Sequence, residues 1–156
     1  MNIGIIVYSQ TGNTYSVALK IRGKLLAAGH QVTVERMGPV GEQRMMMGDV
    51  LTEAFPSIEG YDALLLGSPV QAFGLAPAMK QTLLKLPDLG NRKVACFVTM
   101  ALPFTWLGGN KAISKLRQAC AAKGGTVIAT GIVNWSAKKT RDLQIEAVAS
   151  QLAGSF

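Results

Sequence analysis

Three near-continuous apolar runs, at residues 2–8, 61–66 and 93–99, each give way to a turn and then to residues at helical spacing. Runs rich in Ile, Val and Leu are the kind buried on both faces of a parallel sheet, and parallel strands need long crossovers that are usually helical. Between and after them, residues 15–28 place Val17, Ala18, Ile21 and Leu25 on one helical face, with Gly29 closing the segment. Residues 31–36 alternate as a short strand. Pro77 opens a helix at 78–86, in the first-turn position that proline suits. Residues 110–123 put Ile113, Leu116 and Ala119 inward, 126–133 form a fifth strand, and 137–152 a last helix. Five strands separated by helices, with right-handed crossovers, give a three-layer α/β/α sandwich. Residues 38–57, with Pro39, Gly41, Met45, Met46, Met47 and Gly48, read as a loop carrying one or two helical turns.

Bulk properties narrow the class. The chain has 156 residues, enough for one domain with a full core, 1–156. Hydrophobic residues make up 49% and charged residues 16%, which excludes a disordered chain. The longest apolar stretch, 94–104, is broken by Thr99 and Pro103 and is too short to span a bilayer, so no membrane insertion is expected. Met1 and Asn2 lead straight into a strand-like run without a basic n-region or long apolar h-region, and a cytoplasmic protein is expected. Cys96 falls in a strand pattern and Cys120 in a helix pattern, read as two buried thiols rather than a disulfide. His30, the single histidine, follows a helix-closing Gly29, and no metal constellation forms around it.

The junction after the first strand carries the chemistry. Ser9, Gln10, Thr11, Gly12, Asn13 and Thr14 separate that strand from the first helix. Helix-initial N–H groups lack intrahelical partners, and the macrodipole favours negative charge there. Ser9, Thr11 and Thr14 add hydroxyls, Asn13 an amide, and Gly12 a close backbone approach. No Lys or Arg lies between Met1 and Val17, so a phosphate there is expected to be held largely by neutral dipoles. The segment has neither the Gly-Lys-Ser/Thr of a P-loop nor the G-x-G-x-x-G of a dinucleotide fold. Thr-Gly-Asn alone also serves as plain turn and cap chemistry. Its place at the first strand–helix junction of an α/β chain favours a ligand site.

In a doubly wound sheet of order 2-1-3-4-5, three loops lie side by side: 9–14, 68–75 and 100–109. The second brings Pro69, Val70 and Phe73 as apolar wall, with backbone polar groups for a ring edge. The third brings Phe104 and Trp106, whose rings can stack on a flat heterocycle.

On these residues the chain resembles the flavodoxin-like family of FMN-binding proteins over essentially its whole length. Ser9-Gln10-Thr11-Gly12-Asn13-Thr14 is similar to the family's S/T-x-T-G-x-T phosphate loop. Gly67-Ser68-Pro69-Val70, with Met79-Lys80 downstream, is similar to the G-S-P-x segment that reductases of this fold place beside the isoalloxazine ring. Gly108-Gly109-Asn110-Lys111-Ala112 is similar to the glycine pair opening the fourth helix in that branch. The resemblance implies a flavodoxin-like fold with a five-stranded parallel sheet of order 2-1-3-4-5 and non-covalent FMN. It also implies a phosphate on Ser9, Thr11, Gly12, Asn13 and Thr14, and a ring lined on one side by Ser68, Pro69, Val70, Gln71 and Phe73 and on the other by residues 99–106, with Thr99, Met100, Ala101, Phe104 and Trp106. No catalytic side chain is implied beyond the cofactor.

Two departures bear on partners. The net charge is +7, and nine Lys/Arg fall between residues 89 and 141 without one Asp or Glu, whereas electron-carrier flavodoxins are typically acidic. This basic surface reads either as a solvated face or as one that attracts an acidic partner or a phosphorylated substrate. No aromatic-interleaved basic motif supports nucleic-acid binding. The third loop is apolar, Leu102-Pro103-Phe104-Thr105-Trp106, suited to covering a flavin, receiving a hydrophobic substrate or forming a subunit interface, so an oligomer is compatible. The expected function is electron transfer with a redox partner protein of acidic character. The alternative is an FMN-dependent reductase using NAD(P)H and a quinone or flavin, and a flavin-free binding module stands third.

Overall fold

A computed structural model describes residues 1–38 and 55–156. The loop with helical turns expected over 38–57 lies, for residues 39–54, outside the described residues. The elements run β1 (Asn2–Tyr8), α1 (Asn13–Ala27), β2 (Gln31–Met37), β3 (Ala63–Gln71), β4 (Gly74–Leu75), α2 (Pro77–Leu83), β5 (Lys93–Met100), α3 (Gly109–Ala122), β6 (Thr126–Asn134) and α4 (Arg141–Ala153).

The long strands pair in parallel in the order β2-β1-β3-β5-β6, which is 2-1-3-4-5 when only the parallel strands are numbered. The expected sheet is therefore present with one correction. A sixth, two-residue strand, β4, turns back antiparallel on β3, pairing Val70 with Leu75 and Gln71 with Gly74. The segment 68–75, expected as a loop, is thus the end of β3 and a hairpin. Ser68 and Pro69 pair with Val98 and Thr99 of β5, whereas the β1 ladder stops at Val7–Gly67. Pro69 therefore sits where β3 has become an edge on one side, the place a strand tolerates a missing N–H.

The sheet separates two apolar layers. Ile3, Ile5, Val7, Leu65, Ala95 and Phe97 pack towards Val17, Ile21 and Leu25 of α1 and Ala149 and Leu152 of α4. Ile6, Leu64, Leu66, Val94, Cys96 and Val98 pack towards Met79 and Leu83 of α2 and Ala112 and Leu116 of α3. Successive side chains of β1, β3 and β5 alternate between these layers, which is why both faces of the central runs had to be apolar. Across one layer Lys20 and Lys24 of α1 meet Glu146 of α4. Lys24 and then Lys20 hold the Glu146 carboxyl below the usual range.

Cys96 and Cys120 are free and buried. The Cys96 thiol is pushed well up by its hydrogen bond with Cys120 and by burial. Among the described residues no helix is long and apolar enough to cross a membrane.

Helix ends differ from the sequence expectation for local reasons. The last helix begins at Arg141 rather than 137, because Asn134 Oδ1 accepts from Ser136 N (3.0 Å) and Thr140 N bonds Ala137 O (3.0 Å), closing turns that compete with helix. The helix expected to 86 ends at Leu83, and Leu84, Lys85 and Leu86 instead bond three residues back, the tightened last turn common at helix ends.

Candidate functional site

The carboxyl ends of β1, β3, β5 and β6 enclose a cleft of about 420 Å³, within the size range of small-molecule pockets. Its first wall is the β1–α1 turn, with Ser9, Gln10, Thr11, Asn13 and Thr14. Gly12 caps α1 in the left-handed region (φ 102°) and, as a glycine, offers no side chain to the first-turn N–H groups. Ser9 Oγ accepts from Tyr15 N at 3.1 Å, and the first-turn N–H groups ahead of Tyr15 lack an intrahelical partner. No acidic residue stands in the first turn of α1 to oppose an anion there.

Cations reach this wall from distant parts of the chain, which corrects the expectation of a site built from neutral dipoles. Arg36, near the end of β2, donates from Nε to Ser9 O (3.1 Å) and from Nη2 to Gln10 O (3.4 Å), and its guanidinium lies 4.9 Å from the Tyr15 ring centroid. Arg36 thus fixes the carbonyls of the turn and adds charge behind it. Lys138 and Arg141, from the β6–α4 connection, line the cleft itself. Arg141 donates to Trp135 O (3.1 Å) and stacks 4.8 Å from the Trp135 ring.

Pro69, Val70 and Gln71 of β3 form the second wall, and Thr99, Met100 and Ala101 at the end of β5 the third. Thr99 and Thr14 share a buried hydroxyl–hydroxyl bond of 2.8 Å that ties the end of β5 to the start of α1. Thr99→Val should leave the Thr14 hydroxyl without a partner and lower stability by about 1–3 kcal/mol, whereas Thr99→Ser should retain most of it. Thermal denaturation of the two variants checks this, and an equal loss in both would assign the effect to packing.

Several expected residues stand elsewhere. Ser68 is buried under the cleft, its hydroxyl donating to Pro69 O (3.1 Å). Phe73 occupies the tip of the β3–β4 hairpin, where it and Ala72 take positive φ (60° and 49°), the conformation of a type I′ turn. Its side chain does not line the cleft, and neither do Phe104 and Trp106, which stack on each other instead (centroids 5.7 Å apart, planes at 8°). Gly108 caps α3 with φ 118° and Gly109 starts it, both outside the lining. A Cβ on Gly108 would lie 2.6 Å from the Phe73 backbone, so this glycine lets the hairpin and α3 meet.

Trp135, Ser136, Lys138 and Arg141 were missed by sequence reasoning. Their signal was position, since they follow a parallel strand at the same sheet edge as the other three segments. Among the described residues no Asp, Glu or His lines the cleft, and those that do offer cations, hydroxyls, amides and apolar wall. Among the described residues no group of acidic, His and Cys side chains could hold a metal ion.

Comparisons with known proteins bear on the family and the fold. A family model described as NADPH-dependent FMN reductase matches residues 1–140. No curated protein matches the sequence. Among solved structures, the fold is similar to a flavodoxin of Streptococcus pneumonia TIGR4 (17% identity, TM-score 0.72, all of both chains covered). It is also similar to oxidised Flavodoxin 2 from Bacillus cereus (20% identity, TM-score 0.71, all of both chains). A flavodoxin, WrbA-like protein from Agrobacterium tumefaciens is likewise similar (16% identity, TM-score 0.63, covering 98% of this chain and 97% of that one).

Proposed function

The chain belongs to the NADPH-dependent FMN reductase family, and on that premise we propose that it holds FMN in the four-walled cleft and passes electrons to or from a redox partner protein. The observation that carries this is the donor set. A helix end whose glycine cap offers no side chain, three hydroxyl-bearing residues at the turn, two cations in the same lining and an apolar remainder fit a phosphate joined to a flat ring. When bound, FMN supplies the redox chemistry.

The protein's share is to bind and orient. Gly12 frees the first turn of α1, Thr11 and Asn13 offer donors, and Arg36 fixes the turn from behind. Lys138 and Arg141 balance phosphate charge, while Pro69, Val70, Met100 and Ala101 keep water from the apolar part of the cleft. Among the described residues the lining holds no carboxylate or imidazole, and electron or hydride transfer needs no general base.

The partner is a protein drawn to the basic surface, in the cytoplasm, where two free thiols stay reduced. A second reading has the family description in its favour: hydride taken from NADPH and delivered to a quinone or to free flavin. Steady-state NADPH oxidation with a soluble quinone separates the two. A carrier turns over poorly alone, and efficient turnover would replace the first reading with the second.

A further inference from the structure

Away from the cleft, Lys80 of α2 and Lys111 and Lys115 of α3 converge on a groove of about 380 Å³ with Leu75, Ser114 and Gln118. Lys111 and Lys115 are one helical turn apart and so share a face. Among the described residues neither they nor Lys80 form an ion pair, since both salt bridges belong to Glu146. Three like charges held together with no ion-pair partner among the described residues raise the local potential, and an anionic surface would relieve it.

The groove continues into exposed aromatic surface. The Cβ position of Gly74 lies 3.8 Å from Lys111 Cδ, and Gly108 abuts the Phe73 backbone, so the hairpin tip joins the lysines to the 102–106 loop. Phe73, Phe104 and Trp106 are 61%, 55% and 71% exposed. Exposed aromatics flanked by charge mark interaction surfaces, and Trp is among the residues that most often dominate them. The same hairpin bounds the cleft, through Val70 and Gln71, and the groove, through Leu75.

We propose that this face is the docking surface for an acidic one-electron redox protein, a proposal that rests on the electron-transfer reading above. Charge selects the occupant. A second copy of this chain, at +7, would bring the same sign, whereas an acidic protein matches the lysines and covers the rings. Docking there places the partner one hairpin away from the cleft. In the transfer, the partner's reduced centre loses one electron and the protein-bound flavin gains it.

The test is stopped-flow reduction of the FMN-loaded protein by a photoreduced acidic [2Fe–2S] ferredoxin across ionic strengths. Lys80→Gln, Lys111→Gln and Lys115→Gln are combined in one variant, and Arg22→Gln, Lys93→Gln and Lys123→Gln serve as a charge-matched control. The wild-type rate should fall as salt rises, and the groove variant should lose about tenfold at low salt with a flatter salt dependence, the control much less. Equal losses in the two variants, or a rate flat with salt, would overturn the surface while leaving FMN binding untouched. A raised KM for NADPH with an unchanged ferredoxin rate would also overturn it and give the lysines to the nucleotide. A protein that takes up no FMN, seen in its visible spectrum beforehand, would instead overturn the reading on which the surface rests.

Discussion

Alanine at both Thr11 and Asn13 should weaken FMN by about a hundredfold or more and change riboflavin binding only slightly. Both residues line the cleft beside the left-handed Gly12 that opens α1. Each hydrogen bond to a charged group contributes about 1.5–3 kcal/mol, and about 1.4 kcal/mol is tenfold in affinity, so losing two is a large effect. Riboflavin lacks the phosphate and serves as the internal control. The helix end, Arg36, Lys138 and Arg141 remain in the double variant, so residual FMN binding should become more salt-dependent as charge takes over from oriented donors. Fluorescence titration with both ligands measures this. Equal losses for FMN and riboflavin would mean that the turn does not face the phosphate.

Phe97→Ala should cost about 3–5 kcal/mol, a large share of the 5–15 kcal/mol that typically separates a folded domain from its unfolded chain. Phe97 is wholly buried in the layer beneath α1 and α4. Its ring fills the space left by Gly67, where an added Cβ would lie 2.3 Å from Cζ and 2.8 Å from a Val7 methyl. Gly67 and Phe97 are direct neighbours across the β3–β5 ladder. Gly67→Ala alone should therefore cost about 1–3 kcal/mol by overpacking. In the Phe97→Ala background the same methyl should cost much less, because it enters the space the ring has vacated. Chemical denaturation of both singles and the double measures the coupling, and strictly additive costs would contradict this packing.

How much could be read beforehand follows from the range of each interaction. The apolar runs of β1, β3 and β5 are local and unambiguous, because a strand buried on both faces must be apolar at every position. The β1–α1 turn was equally legible, since Gly12 and its neighbours act within one helical turn. The β3–β4 hairpin was not, because its turn carries Ala72 and Phe73 at positive φ instead of the Gly or Asn that announce such turns. The cations of the site were missed for a different reason. Arg36, Lys138 and Arg141 approach the first turn only through the sheet order and the packing of α4 beside α1, and no spacing along the chain encodes that approach. Phe104 and Trp106 show the converse. Their composition suggested a stacking platform for the ligand, yet each found its partner in the other ring outside the cleft.

The most direct measurement is a visible absorption titration of purified, flavin-stripped protein with FMN. A saturable, perturbed flavin spectrum at one FMN per chain, lost in the Thr11→Ala/Asn13→Ala variant at the same concentrations, is the expected result. A spectrum identical to free FMN at every ratio, from a protein whose fold is intact by circular dichroism, would contradict a flavin site in this cleft.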